Sequence, residues 1–178
     1  STSEADLVDG LFISKFVDGY EQDRVMELYN PTSQPIDAGS YTVEIIINSG
    51  TWCSTESDVV GCAAEFNRPI FTLSGAIQPG QTFVICHMET GYADRVPDGC
   101  DMRTELASWN GTDAVGLFRG SSLMDSVGEA GPSPGAGWTV CGVVDATANH
   151  ELVRKPRVLK GNEGQLQAGD TVIGDQDL

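Results

Sequence analysis

The sequence predicts an all-β sandwich. Three observations predict it: strand-length apolar runs that alternate with a period of two, turn chemistry that ends most of those runs, and no segment with a sustained helical period. The chain has 178 residues, which suits one domain, and 40% of them are hydrophobic, enough to build a core. The expected organisation is a single domain over 1–178, with a core from about 11 to 163, an N-terminal arm over 1–10 and a polar tail over 164–178.

The strands follow in order. Leu11 to Val17 is a β-rich run that ends at Asp18-Gly19, and Val25 to Asn30 is a second, stopped by Pro31. Tyr41 to Asn48 is the clearest. Tyr41, Val43, Ile45 and Ile47 fall on one side of it, and Thr42, Glu44, Ile46 and Asn48 on the other, the pattern of a half-buried strand. It stops at the turn signal Asn48-Ser49-Gly50. Ile70 to Leu73 is short. Pro79-Gly80 sets a turn, because proline fixes φ at the first corner and glycine accepts a positive φ at the second. Gln81 to His87 follows as a strand.

Ala114 to Phe118 and Leu123 to Val127 straddle Arg119-Gly120-Ser121-Ser122 and read as a tight hairpin. Glu151 to Val153 and Thr171 to Ile173 are the last candidates. Gly128 to Gly137 holds four glycines and two prolines and must be a loop. Met102 to Ser108 is the one segment that reads as a helical turn. Asp113 stands where a loop becomes a strand, a place where a carboxylate can cap backbone N–H groups.

Charge excludes some partners. The net charge is −16, from 26 acidic and 10 basic residues. A field of that sign repels phosphate, so neither nucleic acid nor an anionic membrane is an expected partner. It suits a solvated surface in salty water, a bound cation or a basic partner. The basic residues cluster: Arg154, Lys155, Arg157 and Lys160 are four of the ten. The first 23 residues hold six acids (Glu4, Asp6, Asp9, Asp18, Glu21 and Asp23) and one lysine. Such polarity would suit head-to-tail association, but two solvated patches are the simpler reading. No run of eighteen apolar residues is present, so no membrane insertion is expected. The start at Ser1 is polar and shows no signal peptide.

The five cysteines are Cys53, Cys62, Cys86, Cys100 and Cys141, with no C-x-x-C pair among them. Cys53 and Cys62 flank one short polar segment, and Cys86 and Cys100 flank a similar one. We read two loop-stapling disulfides, although five cysteines permit other pairings. Such bridges imply an oxidising compartment. Cys141 is then left as a buried thiol or a bridge to another chain.

Several motifs carry a resemblance. LFISKFVDG (Leu11 to Gly19), RVMELYNPTSQPID (Arg24 to Asp37) and YTV (Tyr41 to Val43) resemble the opening of the lamin-tail domain family. LSGAIQPGQTFVICH (Leu73 to His87) is similar to its middle strand pair. WNGTDAVGLFRG (Trp109 to Gly120) with MDSVGEAG (Met124 to Gly131) resembles its later hairpin. DATANHELVRKPRVLKGN (Asp145 to Asn162) is similar to the closing segment of its bacterial secreted members. Those members tend to finish on a tryptophan strand and an aspartate-threonine-phenylalanine stretch, where this chain has Asp170-Thr171-Val172. The resemblance implies an immunoglobulin-like β-sandwich without a catalytic role, carried by extracellular and cell-surface proteins, often beside a secreted nuclease or other hydrolase.

Candidate chemistry is sparse. His87 and His150 are the two histidines, and no G-x-S-x-G elbow accompanies them. Cys86 adjoins His87, but neighbours on a regular strand point to opposite faces. No enzyme activity and no cofactor are expected. Calcium is the one candidate ion, since it takes carboxylate and carbonyl oxygens and Asp94, Asp98 and Asp101 share a loop with Gly99. That loop lacks the D-x-D-x-D-G pattern. Asn110-Gly111-Thr112 is an N-glycosylation sequon and also ordinary turn chemistry. An open sandwich has edge strands that can accept a strand from another chain. The expected function is a non-catalytic extracellular module that binds other protein chains or copies of itself. The alternative is an accessory targeting domain of a larger secreted hydrolase or nuclease.

Overall fold

The structure, a computed structural model, describes residues 9–91, 99–140 and 142–161. Those residues form an all-β sandwich of two main sheets. The first has five strands in the order β11-β1-β2-β7-β8. They are β1 (Phe12–Asp18), β2 (Arg24–Tyr29), β7 (Thr82–His87), β8 (Met102–Thr104) and β11 (Glu151–Val153). All neighbours are antiparallel except the pair β7 and β8. The second sheet has four strands in the order β10-β9-β4-β5, namely β4 (Tyr41–Ile46), β5 (Ile70–Thr72), β9 (Ala114–Arg119) and β10 (Ser122–Val127). A two-stranded ribbon, β3 (Ile36–Asp37) with β6 (Ala76–Ile77), lies between them in sequence.

The inner faces make the core. Ile13, Phe16, Met26, Leu28 and Ile85 from the first sheet meet Tyr41, Val43, Ile45, Val115 and Leu117 from the second. Trp109 is fully buried beside them, with its ring centroid 5.5 Å from that of Phe16. Its indole N–H donates to the Val17 carbonyl at 3.0 Å, so the largest side chain of the core carries no unsatisfied polar group. Each large apolar side chain buried in this way contributes roughly 1.5–3 kcal/mol.

The strands read from sequence recur within a residue or two, the Ala114–Arg119 and Ser122–Val127 hairpin among them. Three differences stand out. Met102 to Ser108 is not a helical turn: Met102–Thr104 pairs with Ile85, Cys86 and His87 as β8. A parallel edge strand of three residues is too short to show alternation. The short strands β3 and β6 likewise escaped. The helix is elsewhere, at α1 (Val59–Phe66), which contains Cys62 and runs beyond it. Thr171 to Ile173 lies outside the described residues.

Both predicted disulfides form, Cys53–Cys62 and Cys86–Cys100. Two structural disulfides fit an oxidising compartment. Cys141 lies outside the described residues. Among the described residues, no helix is long and apolar enough to cross a membrane.

Candidate interaction surfaces

The second sheet is covered on its outer face, so β4 is buried on both sides. Glu44 and Ile46, on the face expected to meet water, are 0% and 1% exposed. The cover is the segment from 50 to 68. Trp52 lies over β9 and meets Phe118 edge-to-face at 5.5 Å between ring centroids. Gly116 makes this approach possible, because a Cβ there would sit 3.1 Å from two atoms of the Trp52 ring. The buried Glu44 carboxylate accepts from the backbone N–H of Cys53 at 2.7 Å and of Ser54 at 2.8 Å. Arg68 approaches it to 3.9 Å. Burial pulls the Arg68 guanidinium below its ordinary pKa, against the raising effect of the Glu44 charge.

Helix α1 is the outermost part of this cover. Asp58 caps it, accepting from the Gly61 N–H at 2.9 Å, and Asn67 ends it in the left-handed conformation at φ 49°. None of its side chains is buried. Val60 and Phe66 are 80% and 52% exposed, and the Arg68 guanidinium lies over the Phe66 ring at 5.6 Å. Beside the helix is an open hollow of about 420 Å³, lined by Glu56, Asp58, Glu65 and Phe66 among others.

The second disulfide does for the first sheet what the first does for the second. Cys86 packs with Val17, Val25 and Val84 on the outer face, and Cys100 closes over them. Asp101 serves this junction, since its carboxylate accepts from the Val84 N–H at 2.7 Å. Asp94 and Asp98, the other two candidate calcium ligands, lie outside the described residues. Among the described residues, no group of three or more His, Cys, Asp or Glu is arranged to hold a metal ion.

A polar knot closes one end of the sandwich. Asp18 pairs with Arg24 at 3.0 Å and accepts from the Asn149 N–H at 3.0 Å. Arg24 donates to the carbonyls of Gly19 and Trp109. Asp113 caps as its position predicted, accepting from the N–H of Asn48 and of Asn110, each at 2.9 Å. Asn110 is exposed, and its side-chain oxygen accepts from the Thr112 N–H at 2.9 Å, so the sequon is also a turn. His87 and His150 fall on strands β7 and on the approach to β11, with β1 and β2 between them. The sulfur of Cys86 beside His87 is in a disulfide.

Burial raises the Asp113 pKa above its ordinary 3.8, while the two backbone N–H donors and Arg24 oppose the shift. The folded chain therefore holds the Asp113 proton more tightly than the unfolded chain. Between the unfolded and the raised native value, stability falls as pH rises and grows as pH falls. Asp113→Asn should cost about 1–3 kcal/mol at neutral pH, since its amide would face one of the two N–H donors. That cost should widen on acidification, because the variant has no carboxyl to protonate. Urea unfolding of both proteins across the acid range checks this, and a difference that narrows as pH falls would contradict it.

The basic cluster stands at the opposite edge, in β11 and the residues after it. Arg154 is turned inward onto the fully buried Asp125 at 2.7 Å. Lys155, Arg157 and Lys160 are exposed, as are Val153 at 51% and Leu159 at 49%. Val158 N–H donates to the Lys155 carbonyl at 2.9 Å and closes a turn that carries Pro156 and Arg157. Of the acids over the first 23 residues, Glu4 and Asp6 lie outside the described residues and three others are engaged within the fold. Asp9 meets Arg119 at 2.9 Å, Asp18 meets Arg24, and Asp23 accepts from the Thr90 hydroxyl at 3.0 Å. Sequence reasoning missed the acidic hollow at α1 because it depends on a helix that the sequence pattern did not reveal. No protein-family model matches the chain, and no curated protein is similar to it.

Proposed function

We propose that this chain is a non-catalytic extracellular module of the lamin-tail type that works through contacts with other protein chains, copies of itself included. One observation carries the reading. The buried carboxylates Glu44, Asp113 and Asp125 hold backbone N–H groups and arginines, while large apolar side chains and surfaces of opposite charge face outward. Ionisable groups committed to backbone capping serve the fold. Apolar side chains set among exposed charges serve contact with a partner. The motifs from Leu11 to Asn162 support the family reading, and the two disulfides support the extracellular one.

Sedimentation of the whole chain over a wide concentration range tests the self-assembly arm of this reading, with and without a thiol reductant. The sedimentation coefficient should rise with protein concentration. A single monomer boundary at every concentration, in both redox conditions, would count against self-association.

A further inference from the structure

We infer that the Cys53–Cys62 bridge is a thiol-exchange site, entered at Cys62 through the acidic hollow and selective for cationic and neutral thiols over anionic ones. The two sulfurs are not equivalent. Cys53 is 0% exposed and sits at the root of the cover, where its N–H donates to Glu44. Cys62 is half-buried and lines the hollow, whereas Cys53 does not. A reagent arriving from solvent therefore meets Cys62.

Helix geometry decides what else it meets. Residues three and four apart lie on one face of a helix, with Cβ atoms roughly 5–6 Å apart. Asp58 at the cap, Glu65 and Phe66 stand in that relation to Cys62, and all four line the hollow together with Glu56. Glu56, Asp58 and Glu65 make no ion pair among the described residues. Arg68, the cation nearest in sequence, is turned onto the buried Glu44.

The attacking species in disulfide exchange is a thiolate. It bonds to Cys62 Sγ as the S–S bond breaks, and the electron pair leaves on Cys53 Sγ, which takes up a proton. A second thiolate then displaces Cys62 from the mixed disulfide. Two external thiols end as one disulfide, and the bridge ends as two protein thiols. The carboxylates of the hollow repel the attacker more strongly when the rest of the reagent is also negative. Each added negative charge should slow the first step about fivefold at low salt. Glu44 keeps hold of the Cys53 and Ser54 N–H groups throughout, so exchange loosens α1 without releasing the root of the cover.

Three small thiols test this on the whole folded chain: cysteamine, mercaptoethanol and mercaptoethanesulfonate. Freed Cys53 and Cys62 are alkylated and quantified by peptide mass spectrometry. Each rate is expressed per thiolate and divided by the rate on the neutral disulfide of mercaptoethanol. The normalised rates should fall in that order at about 0.01 M salt and converge at about 1 M. Glu56→Gln with Glu65→Gln, at two exposed positions, should narrow the spread, and near-ultraviolet circular dichroism checks that the variant is folded. Mixed disulfides trapped by acid should be on Cys62. Equal normalised rates at low salt, a spread unchanged in the folded variant, or adducts on Cys53 would each overturn the inference. None of these results bears on self-association, which sedimentation reads separately.

Discussion

Asp125→Ala is expected to lower the unfolding free energy by about 3–5 kcal/mol, the cost of breaking a buried ion pair from one side. Asp125 is fully buried, and one carboxylate oxygen takes both the Arg154 guanidinium at 2.7 Å and its neighbour Ser126 N–H at 2.9 Å. The other accepts from the Ile13 N–H at 2.7 Å. Pairing in β1 shifts register between Ile13 and Lys15, and in β10 between Leu123 and Asp125. These irregularities bring Asp125 of one sheet onto the backbone of the other, so the residue ties the two sheets along one edge. Alanine would leave a buried guanidinium and a buried N–H without this acceptor. Asp125→Asn keeps an oxygen for Ile13 but loses the charge, and should fall between. Asp125→Ala combined with Arg154→Met should recover much of the loss, because two apolar side chains desolvate no charge. Guanidinium unfolding midpoints measure all three, and a single Asp125→Ala shift below about 1 kcal/mol would show that the pair carries little.

Much of the sandwich was legible because it depends on local pattern. The strand at Tyr41 to Ile46, the Pro79-Gly80 turn and the Arg119–Ser122 hairpin loop each depend on a few residues, and each appears where its chemistry places it, although the strand is buried on both faces and not on one. Asp113 was legible for the same reason: a carboxylate at a strand entry has nearby N–H groups to cap. Helix α1 carried two signals, the Asp58 cap and Asn67 at the exit, but eight residues opening on Val59-Val60 show no helical period. What lay beyond reading is what joins distant segments. Glu44 alternates like a solvent-facing residue, and only the returning segment 50–68 turns it into a buried anchor. Asp125 looks like an ordinary strand acid until Arg154, 29 residues later, reaches it. Charge counts along the chain also could not show that Asp9 and Asp18 are paired within the fold.

Glu44→Ala should likewise cost about 3–5 kcal/mol, and its loss should be confined in space. The substitution strands the Arg68 guanidinium, whose side chain is 3% exposed, and removes the acceptor for the N–H groups of Cys53 and Ser54. Those groups anchor the segment 50–68 from within, and the Cys53–Cys62 bridge closes its loop. Closing a loop with a sequence separation of 9 contributes roughly 2–3 kcal/mol by chain entropy. With Glu44 replaced and the bridge reduced, the cover should open while the inner faces stay packed. Amide exchange should then be fast across 50–68 and remain slow in Phe12–Asp18 and Arg24–Tyr29, whose core contacts lie on the other face of the sandwich. Glu44→Gln should open it less, since one oxygen still accepts while the amide faces the second donor. If exchange accelerates equally in every strand, the cover is part of one cooperative unit and not a separable layer.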